Sequence, residues 1–207
     1  MRLGRIVSLV GLLWTHSVGA TAPAMMSGAA IGAPDAAQVV VEYSSLTCGH
    51  CAKFHREVLP ILEERYIATG QLRLEFHHYP LDGIALQLAA LVDHATPIKR
   101  FHLISKLFET QDQWIKAEDP VKAAAGILGI PDEEAAAITG DKAALDRIVV
   151  EVLDAHQQRH IEATPSFIIS GRLYPHALQL EAFEVAMGDR PDPQTPQVIH
   201  VSEPLTK

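Results

Sequence analysis

Val39-Val40-Val41-Glu42-Tyr43 runs almost directly into Ser45-Leu46-Thr47-Cys48-Gly49-His50-Cys51-Ala52-Lys53-Phe54-His55, and these two cysteines are the only ones in 207 residues. The first five residues are β-branched and nearly continuous in apolar character, as expected of a strand buried on both faces of a mixed or parallel sheet. Glu42 is the one charge in that run. After the cysteines, Phe54, Val58, Ile61, Leu62 and Tyr66 recur at helical spacing, with Pro60 predicting a kink and Thr69-Gly70 a stop. Leu72 to Tyr79 then alternates and ends before Pro80, which predicts a second strand with one wet side. The stretch therefore reads as a βαβ unit with the cysteines at its first turn.

The remaining signals extend this frame. From about Ile84 to Ile161 they are all helical: Phe101, Ile104, Leu107 and Phe108 form one stripe, Asp119-Pro120 reads as an N-cap followed by proline, and Asp141 opens a long helix. Ser166 to Ile169, the turn Ser170-Gly171, and Arg172 to Tyr174 read as a β-hairpin, with a short helix from about Leu178 to Met187. The expected class is α/β, with residues 38–80 and 162–188 forming one domain and 81–161 a helical insertion. Residues 23–37 read as a small-residue linker and 189–207, with four prolines, as a flexible tail.

Arg2 and Arg5 precede an apolar run from Ile6 to Trp14, followed by small residues that offer cleavage near Ala20 or Ala22. Residues 1–22 read as a secretory signal peptide, because the run is too short for a membrane span of about 20 residues. Losing them changes the net charge from −8 to −10. That sign disfavours nucleic acid and anionic membranes, where Lys and Arg supply most of the affinity. Export places the cysteines where disulfides persist.

Three chemistries compete for the pair. A disulfide over two intervening residues closes so small a loop that it adds only about 2 kcal/mol before strain, which argues against a staple. A zinc site wants four ligands, usually from a second paired spacing, and none is visible; His55 is the best third ligand but reads as a solvated helix residue. A redox centre has a mechanism. At the start of a helix Cys48 meets free N–H groups and the positive end of the dipole, His50 can donate to its sulfur, and Cys51, one turn further in, is shielded. A Cys48 pKa of about 4.5 would favour the reduced form by roughly 3.4 kcal/mol at pH 7, about 70 mV.

VVVEYSSLTCGHCAKFHREVLPIL, the helical insertion and ATPSFIISGRLY together resemble the DsbA-type thiol:disulfide oxidoreductases, over about residues 38–187. The resemblance implies a thioredoxin fold with an inserted helical domain, a periplasmic location, no cofactor or metal, and donation of the Cys48–Cys51 disulfide to reduced exported proteins. It also implies a membrane reoxidant of the DsbB type, and residues 22–37, too short for the dimerisation domain of the DsbC-type isomerases, favour a monomer. By position Cys48 matches the attacking cysteine, Cys51 the buried one, Glu42 the acid beneath the site, and Thr164-Pro165 the cis-proline turn that faces substrate. A carboxylate on so apolar a strand is also placed to act as a base. The Gly-His dipeptide and Thr164 are shared with disulfide isomerases, which keeps an isomerase or reductase as the alternative. A periplasmic copper-delivery protein using Cys48, Cys51 and His50 or His55 is the reading from another class.

Overall fold

The computed structural model of the protein describes residues 28–188. The expected signal peptide 1–22 and the tail 189–207 lie outside the described residues. The elements in chain order are β1 (Ala29–Ile31), β2 (Gln38–Ser44), α1 (Gly49–Glu57), α2 (Leu59–Leu62), a π-helical turn (Glu63–Ile67), β3 (Leu72–His78), α3 (Gly83–His94), α4 (Pro97–Glu109), α5 (Gln111–Trp114), α6 (Pro120–Leu128), α7 (Asp132–Gly140), α8 (Lys142–Arg159), β4 (Ser166–Ile169), β5 (Arg172–Tyr174) and α9 (Leu180–Gly188).

The strands form one sheet in the order β1-β3-β2-β4-β5. β2 and β3 run parallel, and the other pairings are antiparallel. With the helices α3 to α8 inserted between β3 and β4, this is the α/β arrangement of the thioredoxin fold. Pro60 lies in the first turn of α2, where its missing N–H costs nothing, and α1 ends at Val58. In the hairpin, Ser170 and Gly171 both have positive φ, as a tight two-residue turn between right-twisted strands requires.

Alternation along β2 sorts its side chains between two cores. Val40 packs beneath α1 in the main cluster, with Leu74, Phe76, Phe167 and Phe183. Tyr43 and Val41 face the other side, where Tyr79, Ala155, Val152 and Ile161 cover them. Phe54 of α1 lies 4.7 Å from Phe167 of β4 and 5.8 Å from Phe183 of α9, ring to ring, which ties both helices to the same face of the sheet. Glu42 and Ser44 share the Val40 face by period two. They are carried under α1 with no exposed surface.

One expectation is corrected. Residues 29–31, inside the segment 23–37 read as a linker, form the edge strand β1, with Ala29 paired to Phe76 and Ile31 to Leu74. The small residues hid it, because a three-residue edge strand carries little periodicity. Gly32 marks its end: its φ is +104°, and a Cβ there would stand 2.5 Å from the Leu72 carbonyl oxygen and 3.0 Å from the Arg73 Cα. Only glycine combines that dihedral with that approach. Gly32→Ala is expected to cost about 1–3 kcal/mol, read as a lower urea midpoint; an unchanged midpoint would mean β1 can leave the sheet without consequence.

Candidate active site

The chain leaves β2 at Ser44 and turns once, with the Cys48 N–H donating to the Ser45 carbonyl at 3.0 Å. This turn delivers Cys48 in an extended conformation to the N-cap of α1. Its Sγ accepts from the Cys51 N–H at 3.2 Å, the position that a serine or aspartate oxygen occupies at other helix starts. Both cysteines are thiols, Cys48 half-buried and Cys51 buried. The Thr164–Pro165 peptide bond is cis. The Thr164 carbonyl oxygen lies 3.5 Å from the Cys48 sulfur, within reach of its S–H.

These contacts separate the two thiols. Cys48 is lowered to about 6, first by its hydrogen bond with Cys51, against burial, and further by the Thr164 side chain and the backbone N–H groups of Cys51 and His50. Burial pushes Cys51 far up, and the adjacent Cys48 sulfur adds to that rise. A thiol at about 6 against 8.5 unfolded stabilises the folded dithiol by about 1.4 kcal/mol at pH 7, about 30 mV. That is less than half the stabilisation that a value near 4.5 would give. The contribution is complete above about pH 8.5 and is lost as pH falls through 6.

The remaining expected residues divide. Glu42 is fully buried, and both its oxygens lie 3.1 Å from His55 Nε2. His55, expected to be solvated, is turned inward by the four-residue spacing from Cys51 and is ringed by Phe54, Phe76, Phe101 and Phe108. Its Nε2 faces Glu42, and among the described residues no group of three or more His, Cys, Asp or Glu side chains is arranged to hold a metal ion. The His50 imidazole is exposed and makes no hydrogen bond among the described residues, so what reaches the Cys48 sulfur from His50 is its N–H, not its ring. An open groove of about 480 Å³ runs beside the site, lined by His50, Phe54, Val58, Thr164, Pro165 and Leu178.

Two residues of the insertion complete the site. Gln111, at the start of α5 and buried, donates from Nε2 to the Leu46 carbonyl at 2.7 Å and the Cys48 carbonyl at 3.2 Å. Asp82 caps α3 through the Ala85 N–H and accepts from the Thr47 hydroxyl at 2.8 Å. Asp82-Gly83 ahead of the apolar run is the local signal for that cap; the reach of Gln111 across 63 residues had none. Alkylation of the reduced protein is expected at Cys48 alone, with a rate that rises through a midpoint near pH 6. A midpoint near 8.5, that of a free thiol, would mean the helix start does not stabilise the thiolate.

The thioredoxin family profile matches residues 25–189. A Rickettsia prowazekii protein named as a candidate protein-disulfide oxidoreductase is 32% identical over 140 residues, 64% of this chain and 50% of its own. Disulfide bond formation protein D of Bacillus subtilis is 24% identical over 166 residues, 73% of this chain and 71% of its own. The chain thus spans about half the length of the Rickettsia relative. The crystal structure of Wolbachia pipientis alpha-DsbA1 is similar with a TM-score of 0.69 at 28% identity, covering 78% of this chain and 89% of that one. The fold, the paired cysteines at the head of α1 and these likenesses agree: the chain belongs to the thioredoxin family, in its DsbA-type branch.

Proposed function

We propose that this protein is a thiol oxidase that donates its Cys48–Cys51 disulfide to reduced exported proteins. The observation that carries the reading is the asymmetry of the pair: a half-buried sulfur whose thiolate is favoured, one helical turn from a buried sulfur whose thiolate is not. A substrate thiolate attacks Cys48 Sγ, the Cys48–Cys51 bond breaks, and Cys51 departs and is protonated. The substrate's second thiolate then attacks its own sulfur in the mixed disulfide and releases Cys48 as the stable thiolate. The substrate leaves oxidised by two electrons and the protein leaves as the dithiol.

The residues around the sulfurs have parts in this scheme. The Thr164 backbone beside Cys48 offers an edge on which an extended substrate segment can pair, and the groove past Pro165 and Leu178 takes its side chains. His50, exposed above the sulfur, adds positive charge near the thiolate when protonated. Glu42, through its contact with His55, belongs to the buried acid–base pair that serves Cys51. Turnover needs an oxidant for the dithiol; by likeness to the DsbA type we assign a membrane partner of the DsbB type, an exported location after cleavage near Ala20 or Ala22, and action as a monomer.

A second reading, isomerase or reductase, is favoured by one observation: a Cys48 thiol near 6 stabilises the dithiol by only about 30 mV. The two are separated by the equilibrium with glutathione and by substrate choice. A potential between about −180 and −120 mV, with activity on a reduced peptide, is expected of a disulfide donor, and a value near −270 mV would make the protein a reductant. Cys48→Ser is expected to abolish exchange; retained oxidation of the peptide would overturn the mechanism.

A further inference from the structure

Strand and helix spacings place two pairs of polar groups in register under the active site. On β2, Glu42 and Ser44 are two residues apart and face the same way; on α1, Cys51 and His55 are four apart and share one side of the helix. His55 meets Glu42, and Ser44 lies beside Cys51, where its hydroxyl favours the thiolate. Two atoms of this set have no hydrogen-bond partner: Ser44 Oγ and His55 Nδ1. The Glu42 and His55 side chains are 0% and 1% exposed, so neither trades protons with water directly.

The orphaned Nδ1 restricts what the pair can hold. With one proton, the arrangement that keeps the 3.1 Å contacts is a Glu42 carboxylate accepting from Nε2–H, and Nδ1 is then a bare lone pair. With two protons, Nδ1 carries one of them whichever partner holds the other. A buried N–H without an acceptor is the costlier orphan, so the dithiol geometry favours the one-proton form. The two-proton form instead removes the net charge of the pair from its shell of phenylalanine rings.

We propose that His55 is the positioning residue of the exchange reaction, holding at Nδ1 the single proton that Cys51 gains when the disulfide opens and returns when it closes. The proposal rests on Cys48 and Cys51 being an exchange pair, in either direction. When a thiolate attacks Cys48, the electron pair of the breaking S–S bond goes to Cys51, which takes the proton, and the unit drops from two protons to one. When Cys51 later attacks a mixed disulfide at Cys48, its proton goes back. The loop is closed, which fits a unit with no route to solvent. The titratable groups around His55 are Cys51, four residues back on its own helix, Glu42 on β2, and Glu63 on the π-helical turn, whose carboxyl burial pushes up. β3 and α4 turn the rings of Phe76, Phe101 and Phe108 toward it, with His78 behind Phe76 and Glu109 near Glu63.

The test is the protonation of His55 in the full chain, read from its ring ¹⁵N resonances at pH 7 in both redox states. Nδ1 is expected to be protonated in the disulfide form and bare in the dithiol form; the same state in both overturns the proposal. A second measurement uses His55→Gln, whose amide can still donate to Glu42 but cannot take up a proton. Reduction of this variant should bind one more proton than reduction of the wild type. Between pH 7 and 8 its equilibrium constant, corrected for the reference thiol, should then change tenfold more per pH unit, about 30 mV. Equal slopes overturn the proposal. His55 switching in a wild-type protein that fails to oxidise peptide thiols would support the proposal while sinking the oxidase reading.

Discussion

A carboxylate and an imidazole taken out of water together set the seat of α1 on the sheet. Two residues of strand rise about 6.6 Å and four residues of helix about 6 Å, so the pairs Glu42–His55 and Ser44–Cys51 can be satisfied in one register and no neighbouring one. A slip of β2 by a single residue would send Glu42 to the Tyr43 face and leave His55 buried with nothing to donate to. The aromatic rings around the pair make that penalty large, because they offer no alternative partner. With α1 seated, its first turn, and with it Cys48, arrives beside Thr164.

The helical insertion is part of the same machinery. The loop from Ser45 to Cys48 has carbonyls that no strand satisfies, and Gln111 supplies their donor from α5. Asp82 does comparable work from the other side, holding Thr47 while it caps α3. Trp114 anchors this corner, fully buried with its indole N–H on the Leu107 carbonyl at 2.9 Å. The insertion therefore holds the active-site loop at both ends, and the pose of the Cys48 sulfur depends on helices remote in sequence.

Local chemistry was legible wherever one residue type has one physical use. Asp119-Pro120 and Asp141 start α6 and α8 through their own side chains, and the Phe101, Ile104, Leu107, Phe108 stripe is buried on α4. The cysteine spacing placed Cys48 at a helix start because an N-cap is a local event. His55 was misread for a matching reason: on a helix a histidine beside lysine, arginine and glutamate looks wet. Burial of one position among Lys53, Arg56 and Glu57 is settled by which way the helix faces. β1 escaped because its pairing to β3 lies 45 residues away, at Ala30 and Glu75.

By itself the sequence determined strands β2 to β5, the place of the cysteines at the head of a helix, and the α/β order with its helical insertion, since periodicity, caps and turns act within a few residues. Tertiary structure alone decided which partners those residues meet. Glu42 opposite His55, Gln111 on the active-site carbonyls and Thr164 beside the Cys48 sulfur all depend on contacts 13 to 116 residues apart. Such contacts are chosen by the packing of whole elements, and no local pattern records them.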